Sequence, residues 1–285
     1  MTNQDWLLEV GDAVGPITRH QLLSAGCLGP VHVVWAGGRK LVAKIDESAI
    51  GGLEVEAEML RYLGSHSNMN VPQVLHVSPR VLVMTHIEGQ TGCSGAAEPG
   101  AAVELARLHA IKNPRFGFDF DTRIGGLVQP NAWSDSWLEF FAEHRLVHMA
   151  KLALDTGRIR RRQVLAVERI ARSLRQWIAE PKEASLLHGD LWSGNILSSG
   201  GQVVGFLDPA VYFGHPEAEI AFVTLFSTFD DAFFRTYEAM TVRKLDHGFW
   251  NERRNIYNVY PLLVHVCLVG GSYVADLNEM LDRYA

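Results

Sequence analysis

The spacing of apolar residues changes near residue 88, and this change limits the folds that the chain can adopt. Before it, residues 31–35 and 40–45 are β-rich segments joined by the stretch AGGR, whose glycines favour a hairpin turn. Residues 71–89 predict two further strands. We therefore expect the first third of the chain to form a small antiparallel sheet.

One helix is predicted inside this sheet-forming part. Leu53, Ala57, Leu60 and Leu63 recur at helical spacing with acidic residues between them, and Gly64 is expected to close the helix. This helix should pack against the sheet.

Helical patterns dominate the rest of the chain. Glycines and small residues at 89–100 predict a linker. Apolar residues then recur three and four apart in segments 101–111, 135–154 and 161–180, the last of which ends before Pro181. We therefore predict an α+β protein of two lobes, with an N-terminal lobe at residues 1–88 and a larger, mainly helical C-terminal lobe at residues 89–285.

Composition and charge narrow the possible partners. Of the 285 residues, 47% are hydrophobic and 20% are charged, which is enough for a substantial core. The formal net charge of −6 gives no basic field for nucleic acid or an anionic membrane, so the expected partner is a small molecule or another protein. The sequence shows no signal peptide or transmembrane run, and Cys27, Cys93 and Cys267 are too few for a disulfide framework. We therefore expect a soluble, cytoplasmic protein.

Polar residues interrupt the apolar run LLHGDLWSGNIL at residues 186–197, which predicts a loop between short strands. Asp190 and Asn195 are five positions apart in this loop, and Asp208 lies 13 positions beyond Asn195, at the end of the apolar strand 203–207. Mg²⁺ prefers few protein oxygens together with phosphate oxygens, and a separate carboxylate must orient the attacking hydroxyl in phosphoryl transfer. These three side chains meet both needs and indicate magnesium-assisted phosphoryl transfer.

The spacing matches the catalytic pattern of protein kinases, but HGD stands in place of HRD and LDP in place of DFG. The stretches HGDLWSGN and DPAVYFGHPEAEIA instead resemble the fructosamine kinase family, within the larger group of aminoglycoside-phosphotransferase-like small-molecule kinases. The resemblance extends to FGFDFDTRIGGLVQPNAWSDSWLEFFAEHRL and YPLLVHVCLVGGSY, and it covers the chain from about residue 20 to 275. It implies a two-lobed protein-kinase-like fold.

The resemblance also implies a reaction. Members of this family use ATP and Mg²⁺ to phosphorylate the sugar hydroxyl of a ketosamine, the adduct formed when a reducing sugar glycates an amine. The phosphorylated adduct is unstable and releases the amine, so the expected outcome is deglycation of ribulosamine or fructosamine adducts on small amines or on protein lysines. By the match, Asp190 is the base that orients the hydroxyl, and Asn195 and Asp208 hold Mg²⁺.

An ATP-binding lysine in the N-terminal lobe is a further implication. Lys44 lies in the otherwise apolar stretch KLVAKI, where a lysine on the buried side needs a charged partner or a phosphate. Glu56 matches the glutamate of the family, while Glu54 and Glu58 are close competitors. A simpler interpretation makes Lys44 an edge residue and the acids a solvated helix face.

Two segments are expected to contact the nucleotide through backbone groups. Gly26 and Gly29 precede the first predicted strand in a stretch that departs from G-x-G-x-x-G, yet the amides of a glycine-containing turn could still cradle phosphate. The segment from Met84 to Ile87 follows a strand and leads into the linker, so it is expected to be the hinge that contacts adenine.

Cys27 lies in the predicted phosphate-binding turn. Backbone amides and Lys44 would make its surroundings positive, a setting that lowers the pKa of a thiol and favours oxidation. The protein is therefore expected to be a monomer, or a redox-dependent dimer joined through Cys27. The alternative is that Cys27 is a small apolar residue that fills a glycine turn.

The substrate pocket is expected in the C-terminal lobe. Trp192, two residues past Asp190, could border the sugar or the amine carrier. His265 matches a histidine of the family, although a histidine on an apolar helix is more often a core residue. Trp133 and Trp137 could form a pocket wall or an ordinary aromatic core face.

Two residues are expected to support the loop that carries Asp190. His188 should brace it from within, and Glu219 should anchor it by hydrogen bonds to the backbone. Both roles are structural rather than catalytic.

Three other functions use the same residues. A kinase for an aminoglycoside, choline or another hydroxylated amine would need the same arrangement of aspartate and asparagine side chains. A nucleotide-binding pseudokinase is disfavoured because the lysine, the asparagine and both aspartates are all present. A metallohydrolase is disfavoured because the sequence lacks a second cluster of ligands.

Overall fold

The structure is a computed structural model, and it describes residues 5–26, 28–48, 51–241 and 244–284. Cys27, on which the redox-dependent dimer rests, lies outside the described residues. Cys93 and Cys267 are buried and free. Within the described ranges, no helix combines the length and the apolar character needed to cross a bilayer.

A five-stranded antiparallel sheet forms the N-terminal lobe. Its strands, in the spatial order β1-β2-β3-β5-β4, are β1 (Ile17–Ala25), β2 (Pro30–Ala36), β3 (Arg39–Ile45), β4 (Val74–Val77) and β5 (Val81–Thr85). The pairs β2–β3 and β4–β5 are the predicted strands. β1 is not predicted by the apolar pattern, because this edge strand is exposed along almost its whole length and so shows no alternation.

Helices cover both faces of this sheet. The first, α1 (Asp5–Val14), buries Trp6 and Val10 against the face that carries Val83. The second, α2 (Leu53–His66), packs on the opposite face, which carries Leu82. The sequence predicts α2 but not α1.

The end of α2 differs from the prediction. The helix continues through Gly64 to His66, because a glycine ends a helix by taking a left-handed conformation and Gly64 has no positive φ. Ser67 caps the helix instead: its backbone N–H and its hydroxyl donate to the carbonyl oxygen of Leu63 at 3.0 and 2.7 Å. The side chain of Ser67 thus decides where α2 stops.

Helices form most of the C-terminal lobe, and the α+β class is confirmed. The helices are α3 (Glu98–His109), α4 (Trp137–Phe140), α5 (His148–Asp155), α6 (Arg161–Ser173), α7 (Pro216–Leu225), α8 (Asp231–Thr241), α9 (Arg254–Leu268) and α10 (Tyr273–Tyr284). The short strands are β6 (Gln90–Thr91), β7 (Lys112–Asn113), β8 (Thr122–Ile124), β9 (Leu127–Gln129), β10 (Ala184–Leu187), β11 (Ile196–Ser199), β12 (Gln202–Phe206) and β13 (Tyr212–Gly214). A π-helical segment, Phe141–Val147, joins α4 to α5.

Two predicted boundaries in this lobe are wrong. The predicted linker 89–100 contains β6, which pairs with β11, and the start of α3. The helix predicted to reach residue 180 ends at Ser173 and continues only as a 3₁₀ turn, Leu174–Gln176. The pairing of β6 depends on a strand more than 100 residues away in sequence, which the local apolar pattern cannot reveal.

Short antiparallel pairs bring the polar loop 188–195 next to the segment that follows β12. β10 leads into this loop and β11 leaves it, while β11 pairs with β12. The backbone N–H of Leu207 donates to the carbonyl oxygen of Asn195 at 2.8 Å, and that of Ala210 donates to the carbonyl oxygen of His188 at 2.8 Å. The two polar segments predicted from sequence are therefore held side by side.

A buried arginine joins the π-helical segment to the chain after β9. Arg145 is completely buried, and its guanidinium donates to the carbonyl oxygen of Pro130 and to Oδ1 of Asn131, both at 2.7 Å. Its Cζ atom lies 4.0 Å from the ring centre of Tyr212 and 4.6 Å from that of Phe140. The fixed, planar fork of arginine suits such a site, which combines hydrogen bonds with ring contacts.

We predict that Arg145→Met lowers the free energy of unfolding by about 2–4 kcal/mol, because it leaves two buried oxygens without their donors. Urea unfolding followed by circular dichroism measures this change. Arg162→Met, at an exposed position of α6, is the matched control and should stay within about 0.5 kcal/mol of wild type. Similar midpoints for the two variants would contradict the structural role of Arg145.

Candidate active site

A buried carboxylate holds the loop that begins with His188. Glu219, on α7, accepts hydrogen bonds from the backbone N–H of His188 at 3.1 Å and of Gly189 at 2.6 Å, so the predicted anchor is confirmed. Nε2 of His109 lies 2.9 Å from the same carboxylate. Burial by itself would raise the pKa of Glu219, but His109, His188 and the amide of Gly189 together lower it. Glu219 therefore stays ionised and fixes the loop.

Gly189 explains why this loop reads HGD rather than HRD. Its φ is +86°, a conformation that favours glycine, and a Cβ atom there would lie 2.0 Å from the carbonyl oxygen of Ala210. Because that oxygen belongs to the neighbouring backbone, it cannot move aside cheaply. No side chain fits at this position.

Asp190 projects from the anchored loop beside Asn195. Nδ2 of Asn195 donates to the backbone oxygen of Asp190 at 2.8 Å and to its Oδ2 at 3.0 Å. Burial raises the pKa of Asp190 to about 7, the negative charges of Asp208 and Glu219 add to the rise, and the hydrogen bond from Asn195 opposes it. A carboxyl group with this pKa can accept a proton near neutral pH.

Lys44, on β3, joins the two lobes through two carboxylates. Its Nζ lies 2.5 Å from Oε1 of Glu56, on α2, and 2.5 Å from Oδ1 of Asp208, which follows β12. Burial would lower the pKa of Lys44, but these two charges raise it above its ordinary value. Of the three acids that compete in sequence, Glu56 is the partner, while Glu58 pairs with Arg61.

Asp208 occupies a strained backbone position. Its φ is +51°, which is uncommon for a residue other than glycine, and half of its side chain is exposed. Strain of this kind concentrates at functional sites and survives only when the surrounding structure imposes it. Here the hydrogen bonds that flank Asp208, from Leu207 and Ala210, hold the conformation.

A cavity of about 170 Å³ collects most of these residues. The predicted site residues that line it are Gly26, Lys44, Glu56, Asp190 and Asp208. Gly29 lies opposite the end of β3, where a Cβ atom would approach the carbonyl oxygen of Ile45 to 2.4 Å, so the turn after β1 needs glycine. Arg123, on β8, and Gly125 and Gly126, from the turn between β8 and β9, also line the cavity and were not predicted.

The predicted hinge lies away from this cavity. Met84 is buried in β5, where it is paired with Val42 on one side and Val74 on the other, and neither Met84 nor Ile87 is among the described residues that line the cavity. Residues 86–88 connect β5 to the C-terminal lobe.

Trp192 and His265 lie outside the cavity but belong to one aromatic group. The ring of Phe226 lies 6.1 Å from that of Trp192 and 4.8 Å from that of His265, and Tyr273 lies 4.9 Å from His265. Trp192 keeps 38% of its surface exposed. Phe226 was missed because no motif marks it, and Tyr273 was not singled out although it ends the stretch YPLLVHVCLVGGSY. We call these four residues the aromatic shelf.

The tryptophans at 133 and 137 have different surroundings. Trp137 is completely buried and donates from Nε1 to the hydroxyl of Tyr257 at 3.1 Å, so it is a core residue rather than a pocket wall. Trp133 packs beside Phe213. The aromatic core interpretation therefore fits Trp137.

The donor atoms suit Mg²⁺ only together with a phosphate. In the described parts of the chain, no three His, Cys, Asp or Glu side chains converge as a metal site. Asn195 donates through its amide nitrogen, which leaves its carbonyl oxygen for a cation, and the Asp208 carboxylate reaches solvent. Two protein oxygens completed by phosphate and water are the usual environment of Mg²⁺ in a phosphotransferase.

Comparison with known proteins extends this description. The model of the fructosamine kinase family matches residues 2–285. A probable ketoamine kinase of Vibrio parahaemolyticus is 32% identical over 274 residues, which cover 94% of this chain and 92% of that protein. A crystal structure assigned as a fructosamine-3-kinase from Thermobifida fusca superposes with a TM-score of 0.85 at 28% identity, covering 98% of each chain.

More distant structures share the fold alone. An aminoglycoside phosphotransferase, APH(4)-Ia, superposes with a TM-score of 0.66 at 16% identity and covers 98% of this chain and 97% of its own. The two-lobed kinase-like fold implied by the sequence is thereby confirmed.

We predict that Asp190→Asn stabilises the ligand-free protein more at pH 8 than at pH 5. A raised carboxyl pKa means that the folded state holds the proton more tightly than the unfolded state, so stability is lost as the pH rises from the ordinary value of 3.8 to about 7 and the loss stays constant above it. The neutral amide removes this cost, which we expect to be about 1–2 kcal/mol at this partly exposed position.

Thermal unfolding in metal-free buffer at the two pH values measures the effect. Asp282→Asn, an exposed aspartate of α10, is the control and should change little at either pH. An equal gain at pH 5 and pH 8 would mean that something other than ionisation is responsible.

Proposed function

The chain belongs to the fructosamine kinase family, and on this premise we propose that it transfers the γ-phosphoryl group of ATP, with Mg²⁺, to a sugar hydroxyl of a ketosamine. The observation that carries the proposal is the meeting of Lys44, Asp190 and Asp208 in one cavity beside a glycine-containing turn. One cation, one carboxyl group that can take a proton and one exposed carboxylate are what this reaction requires.

Asp190 is the proposed base. The hydroxyl oxygen of the sugar attacks the γ-phosphorus, the new sugar O–P bond forms as the bond between the γ-phosphorus and the bridging oxygen breaks, and ADP leaves. The hydroxyl proton passes to Asp190. The hydrogen bonds from Asn195 fix the direction of that carboxyl group, and Glu219 fixes the loop beneath it.

The remaining residues bind and orient the nucleotide. Asn195 and Asp208 would hold Mg²⁺, which neutralises phosphate charge when it is bound. Lys44, positioned by Glu56, contacts phosphate, and the amides of the turn that contains Gly26 cover it. Adenine would be received by backbone groups of the segment from Met84 to Ile87.

The ketosamine lies with its sugar against Asp190 and its amine towards the aromatic shelf. Trp192 follows Asp190 by two residues and remains partly exposed, so an apolar surface faces the amine side while that side stays open to solvent. This arrangement supports acceptance of ketosamines on small amines and on lysines of peptides or proteins. We expect ribulosamines to be preferred to fructosamines. Because the phosphorylated adduct is unstable, deglycation follows.

We predict different consequences for the two aspartates. Asp190→Asn should lower kcat by roughly 10²–10⁴-fold and leave the affinity for ATP almost unchanged, because it removes the base and no nucleotide ligand. Asp208→Ala should raise the Mg²⁺ concentration needed for half-maximal activity and weaken ATP binding. Steady-state kinetics and calorimetric titration with an ATP analogue separate the two outcomes, and wild-type turnover in Asp190→Asn would refute its role.

A panel of acceptors tests the substrate class. ADP release should be measured with a ribulosamine, a fructosamine, a glycated peptide, an aminoglycoside and choline, each with and without Mg²⁺. We expect turnover with the ribulosamine first, then with the fructosamine and the glycated peptide, and none without Mg²⁺. Turnover confined to the aminoglycoside or to choline would assign the chain a different acceptor.

A further inference from the structure

Arg123 is a cation of the cavity that the proposed reaction has not yet used. It lies on β8, in the C-terminal lobe, and lines the same cavity as Lys44, Asp190 and Asp208. Its Nη1 donates to the carbonyl oxygen of Gly126 at 2.8 Å, which ties the side chain across its own hairpin turn. This contact uses one of the five donors of a guanidinium group.

The charge of Arg123 has no acidic partner. Among the residues that the structure describes, no carboxylate lies within 4.0 Å of its guanidinium, whereas Lys44 is already paired with Glu56 and Asp208. A planar guanidinium matches phosphate oxygens in pairs, so an unpaired arginine in a partly buried site suits an anionic ligand. The charge is therefore available to a ligand in the cavity.

Two glycines, Gly52 and Gly126, allow the β8–β9 hairpin and the Arg123 side chain to pack closely against the N-terminal lobe. A Cβ atom on Gly52, which precedes α2, would lie 2.8 Å from Cδ of Arg123. The Arg123 side chain therefore packs against the N-terminal lobe at a position where only glycine leaves room for it. Gly126, in the same hairpin, approaches Leu28 of the phosphate-binding turn, with a Cβ position 3.2 Å from Cδ2. The β8–β9 hairpin thus reaches both nucleotide-binding elements from the lobe that carries Asp190.

We infer that Arg123 is a phosphate-binding residue that contacts the γ-phosphoryl group of ATP during its transfer. The inference rests on the proposed kinase activity and adds a residue to it. Arg123 shares a lobe and a cavity with Asp190, the proposed base, and it approaches Gly52 at the start of α2, so its charge lies where the proposed transfer takes place. Its fixed charge compensates the oxygens of the phosphoryl group while the bond to the bridging oxygen breaks and the bond to the sugar oxygen forms.

Nucleotide affinities provide a test that needs no acceptor. The dissociation constants of the non-hydrolysable ATP analogue AMP-PNP and of ADP, both with Mg²⁺, should be measured by calorimetry for wild type, Arg123→Gln and Arg123→Lys. A contact with the γ-phosphate predicts that the ratio of the AMP-PNP constant to the ADP constant rises about tenfold in Arg123→Gln and less in Arg123→Lys. Damage to the fold weakens both ligands together and leaves the ratio unchanged.

Arg80→Gln is the matched control, because Arg80 lies in the exposed turn before β5. Its ratio should equal that of wild type. With an accepted ketosamine, Arg123→Gln should also lower kcat by roughly 10–10³-fold with little change in the KM of the ketosamine. Wild-type ratios in both Arg123 variants would overturn the inference and leave the kinase proposal standing, while failure of wild type to bind either nucleotide would overturn the kinase proposal itself.

Discussion

The cleft depends on one buried positive charge. Lys44 comes from the sheet of the N-terminal lobe, and its two carboxylate partners come from α2 and from the segment after β12 in the C-terminal lobe. Burial of an ammonium group without partners costs free energy, and removal of one charged group from such a cluster leaves the remaining charges uncompensated. The same charge therefore connects α2, the segment that carries Asp208 and the sheet of the N-terminal lobe.

A second carboxylate, that of Glu219, fixes the loop that carries Asp190. Glu219 is buried, and two backbone amides of the loop that carries Asp190 and a histidine of α3 converge on it. The loop can therefore carry Asp190 at a fixed angle without a side chain at Gly189. Asn195 completes the frame, since its amide orients Asp190 on one side and its carbonyl oxygen remains for a cation on the other.

The residues that sequence could predict are those whose chemistry conflicts with their surroundings. Polar or charged side chains in an apolar segment need a partner or a ligand, and this conflict marks Lys44, Asp190, Asn195 and Asp208 in the sequence. The structure brings Lys44, Asp190 and Asp208 to one cavity with Glu56. β1 and α1 were missed because an exposed edge strand shows no alternation and because α1 buries little beyond Trp6 and Val10.

Other residues were missed for a different reason. Arg123 and Phe226 lie far in sequence from the catalytic loop, and only tertiary packing brings them near it. Neither stands out locally, because an arginine beside a turn and a phenylalanine after a helix are ordinary surface and core residues. The Lys44 partner, in contrast, was limited to three acids of one helix, and geometry selected Glu56 from them.

The repulsion between Asp190 and Asp208 links proton binding to cation binding. The charge of Asp208 is one of the causes that raise the pKa of Asp190, so any cation that neutralises Asp208 makes Asp190 a stronger acid. Linkage is reciprocal, and protonation of Asp190 must change the affinity for that cation by the same factor as the cation changes the affinity for the proton. A cation that binds at Asp208 is therefore expected to favour release of the proton from the Asp190 carboxyl group, and protonation of Asp190 is expected to weaken the binding of that cation.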